Sequence, residues 1–247
     1  AYGVTRYVFR HVQEDPPNLR EPAHPRPAGC QLVFSTATGW DRVRRFLRAR
    51  IGPALAESPA ISAKADRLLA GTTIDEARLA RLHEFVRSGI RTLDLPLETF
   101  GFDTRPASRV LETSAGHPLE KAVLLAALAR AAGFPAQVAL VGRHRCHPAP
   151  GVPAPHVFAA PWVVIGGPDG ERWIDPLHRP SAKRRAALSG RRVLRLGDGG
   201  DASGSPGSVP PAGESAATLG AVLTVSADGE GGLSLSGHAD VDLRGRY

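Results

Sequence analysis

Residues 112–136 read Glu112-Thr113-Ser114-Ala115-Gly116-His117-Pro118-Leu119-Glu120-Lys121-Ala122-Val123-Leu124-Leu125-Ala126-Ala127-Leu128-Ala129-Arg130-Ala131-Ala132-Gly133-Phe134-Pro135-Ala136. From Leu119 to Ala132 the stretch is apolar on nearly every side, broken by Glu120, Lys121 and Arg130. A helix of that kind has no face to offer water and must be buried on most of its circumference. Pro118 suits its first position, where the missing N–H is one the helix leaves unpaired anyway. Gly133 ends the helix, Pro135 prevents its continuation, and Ala136 to Val141 reads as an interior strand. Helix, tight turn and strand in that order set an α+β core.

Outward from this centre, His156 to Ile165 and Glu171 to Ile174 read as two more strands around the turn sequence Gly166-Gly167-Pro168-Asp169-Gly170. The expectation is a three-stranded antiparallel meander packed on the buried helix. Upstream, Thr38 offers an N-cap for a helix through Val43, Phe46 and Leu47 that stops at Gly52-Pro53. Ile61, Ala65, Leu68 and Leu69 continue with helical spacing, and Thr73-Ile74-Asp75-Glu76 reads as a capping box before Leu79, Leu82, Val86 and Ile90. Residues 1–36, with short apolar runs around the proline-rich stretch Asp15 to Pro27, read as the end of an upstream β-domain. Residues 37–196 form the central domain. Residues 197–217 collapse into Gly, Ser, Pro, Ala and Asp and read as a linker, and 218–247 as the hairpin of a downstream β-unit.

A chain of 247 residues with 42% apolar residues can bury a sizeable core. No apolar run approaches the roughly 20 residues that cross a bilayer, and Ala1-Tyr2-Gly3-Val4 lacks the pattern of a signal peptide. Without a Met at position 1 and with interrupted strands at both ends, the chain reads as a piece of a longer protein. The net charge is +7, carried almost wholly by arginine, since Lys64, Lys121 and Lys183 are the only lysines. In a chain rich in Ala, Gly and Pro, such arginine usage needs no polyanionic partner to explain it. No phosphate-cradling glycine loop and no basic patch interleaved with aromatics is present, so nucleotide and nucleic-acid functions have little support. Cys30 and Cys146 neither require a disulfide nor exclude one. Oligomeric state is not legible.

Gly116-His117-Pro118-Leu119-Glu120-Lys121-Ala122, followed by the apolar helix, glycine turn and strand, resembles the nucleophile helix of transglutaminase-like proteins, whose pattern is roughly Gly-x-Cys-x-Asp/Glu-Lys-Ala. Gly116, Glu120, Lys121 and Ala122 fit, and Pro118 stands where that family has its cysteine. Pro155-His156-Val157 and Trp173-Ile174-Asp175-Pro176 resemble the family's catalytic His and Asp. The resemblance covers about Trp40 to Pro180, and the flanking β-pieces are similar to bacterial multidomain members. It implies a papain-like core, His156 and Asp175 as a remnant pair at hydrogen-bond distance, a vacant nucleophile position at Pro118, and an extracytoplasmic setting. His117, Glu120 and Ser114 are further cleft candidates; Glu120 and Lys121 either pair within the core or face the cleft.

A proline cannot attack an acyl group. The resulting expectation is a catalytically inactive domain that binds or scaffolds, with an extended peptide, protein or glycopeptide as ligand and no cofactor. The rival is a working hydrolase, amidase or acyl-transferase using a displaced nucleophile, Ser114 or Cys146, with His156. Thr-Ser ahead of a helix is ordinary capping chemistry, and Cys146 lies in a proline-rich loop rather than on the central helix. His144, Cys146, His147 and His156 lack the paired spacing of zinc ligands, so no metal site is expected.

Overall fold

The computed structural model of the protein describes residues 35, 37–142, 152–153, 155–167, 170–197, 206–210, 216–227 and 233–244. The chain divides into Ala1–Val33 and Phe34–Tyr247, and all described residues belong to the second unit. The expected upstream β-piece therefore lies almost wholly outside them, as do His144, Cys146, His147 and Cys30. In chain order the elements are α1 (Trp40–Ile51), a 3-10 turn (Gly52–Leu55), α2 (Pro59–Leu69), α3 (Asp75–Gly89), β1 (Arg91–Thr92), α4 (Leu97–Phe100), α5 (Ala107–Thr113), β2 (Ala115–Gly116) and α6 (Pro118–Ala131). There follow β3 (Ala136–Gly142), a 3-10 turn (Pro155–Val157), β4 (Phe158–Ile165), β5 (Arg172–Ile174), α7 (Ala182–Leu188), β6 (Arg192–Arg195), β7 (Gly207–Ser208), β8 (Ala216–Ala227) and β9 (Leu233–Arg244).

Helix α6 is the centre of the core, as its composition requires. Every residue from Leu119 to Ala129 is buried, and each fully buried leucine contributes about 1.5–3 kcal/mol relative to exposure. Its end follows from Gly133. With φ at +87°, this residue turns the chain so that Gly133 N–H reaches Arg130 O (2.9 Å) and Phe134 N–H reaches Ala129 O (2.9 Å). These two bonds satisfy carbonyls that the helix leaves open. The chain then enters β3, whose residues alternate between two layers: Ala136, Val138 and Leu140 join the core around α6, while Ala139 and Val141 face the other way.

The sheet runs β5-β4-β3-β6-β7 and is antiparallel throughout. Helices α1, α2, α3 and α6 and the inner side chains of β3 and β4 form the main core. The opposite face is covered by Leu188 of α7 and by Val209, which pack with Trp162, Val164, Trp173 and Val193. Architecture is thus α+β, with the buried helix on an antiparallel sheet as expected. The sheet has five strands rather than three.

Three local expectations are corrected. Helix α1 is preceded by Gly39 rather than Thr38 at its N-cap, and α3 by Ile74 with no side-chain cap, so no capping box forms at Thr73–Glu76. Asp75 and Glu76 instead place negative charge in the first turn of α3, at the positive end of its dipole. Within the expected linker 197–217, Gly207 and Ser208 pair with β6, Val209 is 1% exposed, and Val209 N–H donates to Arg191 O (2.8 Å). Val209 completes the outer cluster beside residues 207–208 on the sheet edge. Among the described residues no helix is long and apolar enough to cross a membrane.

Candidate functional site

The head of α6 is tied down by hydrogen bonds from both sides. His117 is its N-cap: Nδ1 accepts from Leu119 N–H (3.1 Å), and Nε2 lies 2.9 Å from Leu95 O. A carbonyl only accepts, so the proton sits on Nε2 and the ring is neutral. Burial pushes its pKa below the ordinary value, the bond to Leu95 O opposing this. The ring also stacks on Phe100 with centroids 4.0 Å apart. Both nitrogens are therefore committed to structure, although one edge of His117 lines the cleft described below.

Glu120 completes a capping box by accepting from His117 N–H (2.9 Å). Its carboxylate also takes Arg105 Nε (2.7 Å), Arg105 Nη2 (2.8 Å) and Arg105 N–H (3.2 Å). Burial pushes this carboxyl up, but the bonds from Arg105 and His117 outweigh it and hold the pKa below the usual glutamate value. Lys121, 1% exposed, donates to Ile90 O (2.8 Å), Thr92 Oγ1 (3.0 Å) and Arg87 O (3.1 Å), which matches its three donors to three acceptors at the end of α3. Desolvation, with some repulsion from Arg87, lowers its pKa. Of the two alternatives the sequence left open, both residues take the core role.

Gly116 suits this crowding. A Cβ there would meet Val110 Cγ1 at 3.0 Å and the Glu120 side chain at 3.3 Å. Ser114 sits just upstream in the left-handed region (φ 49°), exposed, with its hydroxyl 3.5 Å from Leu111 O.

A cleft of about 630 Å³ opens beside Pro118. One side comes from the chain around Asp94, Leu95 and Leu97, the back from Ala159 to Trp162 on β4, and the other side from Asp175, His178, Arg184, Leu188 and Arg191. None of the described residues lining it carries a hydroxyl or a thiol. Neither Ser114 nor Glu120 nor His156 is among them. No group of His, Cys, Asp and Glu among the described residues could hold a metal ion.

The structure does not bring His156 and Asp175 together. Strands β4 and β5 pair with Val163 opposite Ile174, so Asp175, one step on, falls level with Trp162. His156 precedes Trp162 by six positions, and the strand from Phe158 to Trp162 alone spans about 13 Å at roughly 3.3 Å per residue. His156 is exposed on the 3-10 turn before β4. The place beside Asp175 is held by His178, whose Nδ1 lies 2.9 Å from Asp175 Oδ2. Oδ1 accepts from Leu177 N–H (2.9 Å), and Arg184 Nη1 stands 3.7 Å from Oδ2. From the core side, His83 Nε2 donates to Asp175 O (2.8 Å), fixing the end of β5 to α3. Burial lowers the His83 pKa and keeps that ring neutral.

His178 was missed in the sequence, yet a signal was there. Asp-Pro-Leu-His offers an aspartate whose side chain turns back onto the N–H two residues on, bringing the third residue after it within reach. Trp162, Arg184 and Arg191 carried no such mark.

Residues 62–175 match the family model described as the transglutaminase-like superfamily. With the buried helix packed on an antiparallel sheet, this part of the chain has a transglutaminase-like fold. Among solved structures, similarity extends to a candidate protease of Parabacteroides distasonis ATCC 8503, with 19% identity, a TM-score of 0.55, and coverage of 71% of this chain and 32% of that one. The periplasmic domain of TgpA from Pseudomonas aeruginosa matches at 25% identity and a TM-score of 0.36, over 53% of this chain and 47% of that one. The chain thus spans about a third of the first protein and about half of the second. No curated protein matches.

Proposed function

We propose that this transglutaminase-like domain is a pseudoenzyme, a binding or scaffolding module that holds an extended peptide or glycopeptide in the cleft beside Pro118 without cleaving or transferring it. The observation that carries the reading is the head of α6. In a thiol acyl-transfer site the dipole at a helix N-terminus favours a thiolate there; here that position is Pro118, and the described cleft lining supplies no hydroxyl or thiol in its place. His178 and Asp175 keep an imidazole–carboxylate pair in the cleft with no hydroxyl or thiol among the described lining beside it. Ser114 as a substitute nucleophile is disfavoured by its position outside the lining and its strained, exposed backbone.

Extended peptides suit such a cleft because Trp162, Leu95 and Leu188 offer apolar contact along it. The test is titration of a set of extended octapeptides into isotopically labelled protein, following amide shifts, with the same mixtures sampled by mass spectrometry for a day. Saturable shifts at Leu95, Trp162 and Leu177 with intact peptides support the reading. Peptide cleavage or transfer that survives repurification refutes it.

A further inference from the structure

The cleft is electrically one-sided. On the α7 side stand two guanidinium groups, Arg184 and Arg191, and one carboxylate, Asp175. Two cations against one anion leave that wall at +1. Asp175 is bound to Leu177 N–H and His178 Nδ1, and Arg184 Nη1 stands 3.7 Å from its Oδ2, so this carboxylate opposes one of the two arginine charges. With Nδ1 engaged by Asp175, the other nitrogen of His178 is the one available to the cleft it lines. The exposed acid of the cleft is Asp94, which enters from the loop after β1.

We propose that His178, Arg184 and Arg191 form a carboxylate-recognising end of the cleft, and that the peptide held there presents a free carboxylate next to an apolar side chain. The inference rests on the peptide-binding reading above and names its ligand class. A guanidinium is a planar fork whose paired N–H groups match the two oxygens of a carboxylate. A wall at +1 balances a monoanion, where a phosphate dianion would leave charge over. The apolar surface of Trp162, Ala187 and Leu188 beside the arginines takes the adjoining side chain. Asp94 repels a carboxylate bound in the opposite sense and so sets the direction of the chain. Asp175 is a positioning residue, since it acts by holding His178.

The experiment uses the whole chain and two probes, N-acetyl-Gly-Ala-Leu with a free C-terminal carboxylate and the same peptide as its C-terminal amide, titrated by amide shift perturbation. The free acid is expected to bind about ten-fold more tightly. Arg184→Gln should abolish the difference, Arg184→Lys should keep part of it, and Arg67→Gln, which removes a charge on α2 away from the cleft, should leave it intact. Urea midpoints check that each variant is folded. Equal affinity of acid and amide overturns the carboxylate assignment and leaves peptide binding standing. Shifts from neither probe overturn both, and displacement of the acid by phosphate but not by acetate overturns the choice of a monoanion.

Discussion

Replacement of Glu120 by alanine tests whether the head of α6 is held as described. The change removes the acceptor of the buried His117 N–H and both oxygens that face Arg105. An orphaned buried N–H costs about 1–3 kcal/mol. The Arg105 side chain is 38% exposed, so water replaces much of what its two charge-assisted bonds supply, leaving roughly 1 kcal/mol for that pair. The sum is about 3 kcal/mol, which at about 2–4 °C per kcal/mol for a chain of this size lowers Tm by roughly 10 °C. Glu120→Gln keeps an oxygen for His117 N–H and should lose about half as much. Because the folded pKa of Glu120 lies below its ordinary 4.5, its contribution is complete above about 4.5 and disappears as pH falls through the folded value. The parent should therefore lose its advantage over Glu120→Gln in acid. Urea unfolding of the three proteins from pH 3 to 7 checks both statements. If Glu120→Ala unfolds within 1 kcal/mol of the parent at pH 7, or if alanine and glutamine are equivalent, the capping and pairing account of this helix is wrong.

Lys121→Met leaves Arg87 O and Ile90 O without their donor and should cost about 2–4 kcal/mol in urea unfolding. Since the folded pKa of Lys121 lies below 10.5, the parent should gain stability as pH rises from the folded value towards 10.5, and the methionine variant should show no such gain. Leu124→Ala, at a fully buried site on α6, should cost about 3–5 kcal/mol, whereas Leu93→Ala, 36% exposed, should cost under about 1 kcal/mol. Pro118→Cys should create a thiol that alkylates with iodoacetamide about ten-fold faster than Cys30 or Cys146, because the helix N-terminus favours the thiolate. Adding His178→Ala should slow that reaction and adding His156→Ala should not; the reverse result would place the functional imidazole on the other histidine.

The core was readable from residues 119–141 because an all-apolar helix, a glycine turn and a strand leave few ways to fold. The site was less readable, and the failure has a location. Sequence order suggests His156 for Asp175, but how near His156 comes to Asp175 is decided by which β4 residue lies opposite Ile174, while the partner found, His178, is local to Asp175. That register depends on how many residues the turn after Ile165 consumes, and a slip of a few positions moves a side chain along the strand by about 3.3 Å per step. The same limit applies to Val209, whose apolar side chain joins the outer cluster next to the paired residues 207–208. Glu120 and Lys121 show the converse: their types fitted a motif, but only packing reveals that Arg105 and the end of α3 consume all their bonding capacity.

The central claim, a cleft with no acyl-accepting hydroxyl or thiol among its described lining residues, is tested most directly by intact-protein mass spectrometry after incubation with p-nitrophenyl acetate and with a glutamine-containing peptide at neutral pH. The account predicts no acyl adduct that depends on the cleft: any slow acetylation should be unchanged by His178→Ala, His156→Ala or Pro118→Ala, and the glutamine peptide should leave the mass unaltered. A stoichiometric acyl-protein mapped to Ser114 or Cys146, and abolished by removal of either histidine, would contradict it and make the domain a working acyl-transfer enzyme.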